Sequence, residues 1–597
     1  MKDFIEKFKI DKSLFSAEKL FVRLLNAWIF ACFAVFIKSG VVMTEKEFLK
    51  AESVSLTVVL TVVFFLLLNF AAFFLSKLDI PKFEYESVLL LLSTAACFSY
   101  CLILDNDIYL TVFLCALISL CCLYCFEKNK HHFPSKDLSK KSTKAFVMAF
   151  ALIALAVMLV VGIFRCLTFS APNYDLGIFT NTAYNLKTRF IQYNTCERDG
   201  LITHFQVHVS PVLYLLTPFY FFFPSAITLQ VVQAVVVVSS VIPVYLICRR
   251  RSLSNKMTAA LCFISVFFPA LSTGTFYDFH ENAFLPALIL WMIYFYEKKK
   301  YIPMFIFALL TLSVKEDASV YVAFFGLYLL TVKGDRTKGL LLSVLSIAYI
   351  FSCIYFINKF GFGAMTNRFK DFITDERLGL ISMASTIILD PIFVIKNCIS
   401  SEKLAFILQV MIPFLFLPFV TKKYSRFILL GPFVLMNLMP SYEYQHSIYF
   451  QYLFGVVPLL TYLSVINAGE LSEKTKKKAV CCCLFVTLLC YCSFVLPKTY
   501  YVEKYFDSTE KYELISETLD KIPDDVSVSA PAFYVPYLAN REDIYENEYT
   551  DKVTDYIVFD LRYAQEKNAE MALDLNKYEL VEKHEDLVAV YKMRAKG

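Results

Sequence analysis

Apolar stretches recur along the whole 597-residue chain, and clusters of lysine and arginine fall in every second gap between them. Few architectures satisfy both features. The apolar runs begin at 24–42 and 53–75 and continue to 447–467 and 479–496. The basic clusters include KNKHHFPSKDLSKKSTK at 128–144, RRRSLSNK at 249–256, KGDRTK at 333–338 and KTKKK at 474–478. With 58% hydrophobic and only 19% charged residues, the chain carries more apolar surface than a soluble core needs. It reads as an all-α polytopic membrane protein of about 15 transmembrane helices, several of them shorter than the ~20 residues that cross a bilayer upright. Positive residues concentrate in cytoplasmic loops, so the alternation predicts a cytoplasmic N-terminus and a tail on the opposite side. The run at 209–224, VSPVLYLLTPFYFFFP, would invert that order if it crossed. It is therefore expected to be re-entrant or to lie at the interface.

The composition also excludes some classes. Most of the 18 cysteines lie inside apolar runs, where cysteine acts as a small hydrophobe, and no CxxC pairs recur at zinc spacing. The basic runs are short and explained by topology, so nothing points to nucleic acid. The charged N-terminal stretch is not a cleavable signal peptide, and the first span is expected to be retained. Three parts are expected: a four-span module with a basic linker at 1–144, a membrane core at 145–496, and an extracytoplasmic domain at 497–597. The tail has short strand-like runs VSVSAPAFYV, DYIVFDLR and LVAVYKM after a charged helical segment, which suits a small α/β domain.

The stretch at 170–197, SAPNYDLGIFTNTAYNLKTRFIQYNTCE, is too polar for a span. Apolar residues recur at Phe179, Ala183, Leu186 and Phe190, spacings that predict an amphipathic helix. Asp175 at its start fits a helix cap, or a functional carboxylate facing water.

Of the seven histidines, His131 and His132 fall in a basic cytoplasmic loop and His584 in the tail. The other four, His204, His208, His280 and His446, map to the outer rim. There they keep company with YDFHE at 277–281, VKED at 314–317 and YEYQH at 442–446. Charges at membrane depth are costly unless they pair or line a wet cavity, so Lys315, Glu316 and Asp317 are expected either to face such a cavity or to neutralise one another. Asp278, His280 and Glu281 together suit general acid–base work or a divalent cation, although polar residues are also ordinary where a chain leaves a span. Arg368 and Lys370 fit phosphate contacts, but a solvated face suits them better.

NYDLGIFTN, the H-x3-H-x2-P of His204, His208 and Pro211, YDFHE, VKED, and QH followed by Tyr449 and Gln451 together resemble the polytopic family called domain of unknown function 2079. The resemblance covers roughly 145–597 and leaves the first four spans unexplained. That family is grouped with the GT-C glycosyltransferases, membrane enzymes that take a sugar from a polyprenyl-phosphate carrier and need an acidic residue in the first large outer loop. The resemblance therefore implies a GT-C-like core with Asp175 as the base. Asp278 and Glu281 would be catalytic partners, orienting groups, binding sugar hydroxyls or carrying a divalent ion. Tyr174, His204, His208, His280, Lys315, Glu316, Asp317 and His446 would bind substrate. The partners implied are a polyprenyl-phosphate sugar, membrane lipid, and an acceptor glycan, lipid or protein.

A transporter or flippase that uses the intramembrane charges for coupling is the alternative. It is disfavoured because no internal repeat is found and the charged motifs gather at one face. A non-catalytic scaffold is a third reading, in which Asp175 would be dispensable.

Overall fold

The computed structural model describes residues 12–40, 45–76, 84–130, 136–363 and 366–594. His131, His132, the basic stretch at 77–82 and the first eleven residues lie outside the described residues. Among the described residues, nine helices are long and apolar enough to cross a membrane, or ten if the bent pair Leu380–Leu389 and Pro391–Cys398 forms one span. The remaining apolar runs resolve into shorter pieces. Tyr301–Leu312 and Ala318–Thr331 are separate helices on either side of the Lys315–Asp317 charges. The run at 427–440 is broken by Gly431 and Pro432 into a 3-10 turn, one α turn and a π turn. Pro211–Phe222 is a 12-residue piece, about 18 Å at 1.5 Å per residue, and too short to span alone.

The first four long helices, Ala17–Ser39, Ala51–Leu75, Tyr85–Leu104 and Ile108–Lys128, form one side of the molecule. The first three are tied together by Arg23, which donates to Glu86 at 2.8 Å and to Asn69 at 2.9 Å. The four dock on the core through the helix Glu473–Phe494, where Thr111 meets Ser493 at 2.7 Å and the thiols of Cys115 and Cys490 lie 3.9 Å apart. These cysteines are buried in a close helix seam, the use expected of a small hydrophobe. At the centre, Asn255–Tyr277 is almost wholly buried, whereas Ser53–Leu75 is almost wholly exposed. The bundle thus has an inner helix shielded from lipid, and its end carries the YDFHE segment.

Between Lys140–Leu167 and Ala226–Arg250 the chain holds no helix long and apolar enough to cross by itself. It contains the helix Ile178–Arg189 and a two-stranded antiparallel ribbon of β1 (Tyr193–Asn194) and β2 (Ile202–Thr203). Above it lies the C-terminal domain, with β3 (Val528–Ala530), β4 (Ile544–Glu546), β5 (Tyr556–Asp560), β6 (Tyr578–His584) and β7 (Val588–Met593) in the order β4-β3-β5-β7-β6. β3 pairs in parallel with β4 and β5, and β7 is antiparallel to both β5 and β6. The helix Thr509–Leu519 covers it with Tyr512, Ile515 and Leu519, and Phe169 from the membrane core enters the same apolar cluster. Two strands exceed the expectation. β4 is only three residues long, and β6 is an edge strand whose exposed residues mix the charged Glu579 and Lys583 with Leu580 and Val581, leaving no regular apolar alternation to announce it.

Candidate functional site

The segment around Asp175 is a π turn, Asn173–Gly177, that runs into the helix Ile178–Arg189. Phe179, Ala183 and Leu186 are buried along one face, as their spacing requires. Phe190 departs from that face. It ends the helix in a left-handed conformation (φ 56°) and its ring is exposed. Asp175 does not act as a side-chain cap, and among the described residues it makes no side-chain hydrogen bond or ion pair. It lines a cavity of about 550 Å³. Burial, with the nearby charges of Asp278 and Glu281, pushes its carboxyl well above the usual range. A carboxylate so placed is poised to take up a proton.

Six of the eleven expected residues line this cavity: Tyr174, Asp175, His204, His208, His280 and Lys315. They come from four separate stretches of chain. The β1–β2 ribbon places Glu197 beside His204, with Glu197 Oε2 3.1 Å from Nδ1. Burial favours the neutral ring, but Glu197 outweighs it and holds the His204 pKa above its ordinary value. Burial likewise pushes Glu197 up, and His204 more than offsets it. The result is a buried ion pair whose His204 Nε2 has no partner among the described residues. His208 is fixed by Glu316, whose Oε1 lies 2.8 Å from Nδ1 while its Oε2 accepts from the Val209 N–H at 3.1 Å. His280 is different. Burial holds its pKa down to about 3, and its Nδ1 accepts from the Asn282 N–H at 3.2 Å. The same Nδ1 lies 3.2 Å from Glu281 Oε2.

Asp278 and Glu281, expected at the cavity as catalytic partners or orienting groups, do not line it. Both are fully buried beneath it. Asp278 Oδ1 accepts from Arg165 at 2.6 Å, and Arg165 also donates to the Phe276 carbonyl at 2.9 Å. Glu281 Oε1 lies 3.4 Å from Lys315 Nζ. Gln233 completes the support, donating to the Thr275 and Asp278 carbonyls and accepting from the His280 N–H at 2.9 Å. Buried charges persist only when paired, and the acids of YDFHE are used for that pairing. His446 is also elsewhere. It is half-buried and lines neither cavity described here.

Glu316 and Asp317 line a second, smaller cavity of about 230 Å³. Its walls are largely apolar, with Ile350, Ile354, Leu380, Met383 and Leu435. His208, Lys315 and Arg368 border both cavities. Arg368 is therefore not on a solvated face. Its guanidinium lies over the rings of Tyr442 at 4.8 Å and Tyr452 at 5.3 Å. Those tyrosines belong to an aromatic wall in which Tyr442 meets Tyr444 at 4.9 Å, Tyr444 meets Phe450 at 4.6 Å, and Phe450 meets Tyr277 at 4.8 Å. The alternating tyrosines of YEYQH are the sequence signal of this wall.

Among the described residues, no group of three or more His, Cys, Asp or Glu side chains is arranged to hold a metal ion. Glu197, Glu281 and Glu316 are already matched to His204, Lys315 and His208. That donor set does not fit a divalent cation.

The chain is similar to two solved structures of ArnT from Cupriavidus metallidurans, one bound to undecaprenyl phosphate and one in the apo state. The identities are 10% and 9%, with TM-scores of 0.46 and 0.44. Each match covers 75% of this chain and 98% of that one. No curated protein matches the sequence. Residues 165–584 match the family described as predicted membrane protein (DUF2079), a span that runs from Arg165 beneath the cavity to the last residue of β6. The cavity, its support and most of the covering sheet lie within this match, and the chain belongs to that family.

Proposed function

We propose that the protein is a membrane glycosyltransferase that moves a sugar from a polyprenyl-phosphate donor to an acceptor at the outer membrane face. One observation carries this reading: a polar cavity and an apolar slot meet at His208, Lys315 and Arg368. A molecule with a sugar, an anionic phosphate and a hydrocarbon tail matches that sequence of environments. Its tail would occupy the slot, its phosphate would sit at the junction, and its sugar would lie against the aromatic wall. His204 Nε2 and Gln451 Oε1 are buried, unpartnered atoms of residues lining the cavity, suited to sugar hydroxyls.

The chemistry follows from these positions. Asp175 accepts the proton of the acceptor hydroxyl as its oxygen forms a bond to the sugar's anomeric carbon. The bond from that carbon to the phosphate oxygen breaks, and the electron pair leaves with the phosphate. Lys315 and Arg368 stabilise the leaving anion, with His280 beside them in the cavity lining. Asp278 and Glu281 act through Arg165 and Lys315, holding the cavity floor in shape. The acceptor is a glycan, lipid or protein that presents a hydroxyl to Asp175.

The test is turnover by the purified protein in lipid nanodiscs, with a panel of polyprenyl-phosphate sugars and detection of released polyprenyl phosphate. Release that depends on Lys315 and Arg368 supports the reading. Movement of lipid-linked sugar across a liposome with no release of lipid phosphate would replace it with a transporter.

A further inference from the structure

The C-terminal domain is hydrogen-bonded into the Asp175 segment at several points. Asn181 Nδ2 donates to the Arg541 carbonyl at 2.7 Å, and the Thr195 hydroxyl donates to the Ile544 carbonyl at 2.6 Å. Arg562 reaches the Phe169 carbonyl at 3.3 Å. The contact nearest to Asp175 is made by Glu546, the last residue of β4. Its Oε2 accepts from Asn173 Nδ2 at 2.7 Å, and Asn173 opens the π turn that contains Asp175. The turn is packed against the domain without slack. A Cβ at Gly177 would stand 2.2 Å from Asn173 Oδ1 and 2.9 Å from Val535 Cγ1. Within the segment, Ala171, Leu176 and Thr180 face a cavity on the domain side, while Tyr174, Asp175 and Phe179 face the polar cavity. The segment is therefore a wall whose tilt decides where Asp175 points.

Glu546 is an expensive way to fill this position. It is only 7% exposed, and among the described residues its Oε1 has no partner. An apolar residue would complete the domain's interior at lower cost, and a buried carboxylate with an unmatched oxygen is retained where it specifies a geometry. We infer that Glu546 is a positioning residue for Asp175: through Asn173 it sets the π turn that aims the carboxyl into the cavity. This makes the C-terminal domain part of the active site, and it rests on reading Asp175 as the base. Glu546 is placed to act on the turn and not on substrate, since it does not line the cavity.

The experiment compares Glu546→Leu with Glu546→Gln in the full-length protein in nanodiscs. The first readout needs no substrate: the rate at which a carbodiimide modifies Asp175, followed by mass spectrometry of the peptide. The second is kcat and KM for lipid-phosphate release. Glu546→Leu is expected to change the Asp175 modification rate by about fivefold or more and to lower kcat by about tenfold with KM little changed. Glu546→Gln keeps an acceptor oxygen for Asn173 and should return both readouts to within about twofold of wild type. Should Glu546→Leu fail to fold, Asn173→Leu removes the same bond from the other side. Unchanged Asp175 reactivity in a folded Leu variant overturns the inference, as does a Gln variant no better than Leu. Absence of turnover in wild type would count against the glycosyltransferase reading alone, because the modification rate still decides the role of Glu546.

Discussion

Glu281 lies beneath the cavity with its Oε1 3.4 Å from the ammonium of Lys315, and the two side chains are 0% and 7% exposed. The carboxylate is fully buried, and the cation it pairs with lines the cavity. Breaking a buried pair from one side leaves the other charge uncompensated, which costs about 3–5 kcal/mol. Glu281→Gln should therefore lower stability by that order, read as a fall in melting temperature in detergent or nanodiscs. The double variant Glu281→Gln/Lys315→Met should recover much of the loss, since no lone charge remains. If the single variant melts like wild type, the pair does not support the floor.

Asp175→Asn should leave the protein folded and inserted while lowering turnover by about 10²–10⁴-fold, the usual contribution of a general base. An amide preserves size and most hydrogen bonding but cannot accept the acceptor's proton. Full activity in this variant would remove Asp175 from the chemistry.

The same residue sets a pH dependence. A base works deprotonated, and burial with Asp278 and Glu281 raises the pKa of Asp175. The acid limb of wild-type kcat/KM should therefore rise through a midpoint above the ordinary carboxylate range. A limb centred in that ordinary range would show that Asp175 is solvated during turnover.

Glu197 and His204 predict a window of stability. The His204 pKa is raised from 6.5, so its contribution is complete below that value and is lost as pH rises through the folded pKa. The Glu197 pKa is lowered from 4.5, so its contribution is complete above that value and is lost as pH falls through the folded pKa. Both are complete between 4.5 and 6.5. Glu197→Gln should depress the melting temperature more at about pH 5.5 than at about pH 8.5. An equal depression at both would mean that the pair is not ionic.

Topology is tested with a reporter active only outside the cytoplasm. Fused after Gly597 it should be active, and fused at Asn255, within the RRRSLSNK cluster, it should be silent. The reverse pattern would put the cavity on the cytoplasmic side and exclude a donor presented at the outer face.

The sequence by itself determined whatever depends on a residue's immediate neighbours. Apolar runs announced the membrane helices, and the break at Lys315–Asp317 appears where three charges interrupt two short runs. The spacing of Phe179, Ala183 and Leu186 marked the buried face of their helix, because helical geometry repeats every few residues. Tertiary structure alone decided which charged groups meet. Asp278 and His280 stand two positions apart in one motif, yet Asp278 is claimed by Arg165, 113 positions upstream, while His280 reaches the cavity. Arg368 became a cavity residue only because Tyr442 and Tyr452 are folded against it. Glu546, in a strand too short to leave a pattern, meets Asn173 across 373 positions. Pairing of buried charges is settled by which helices and loops pack together, and local periodicity holds no record of that choice.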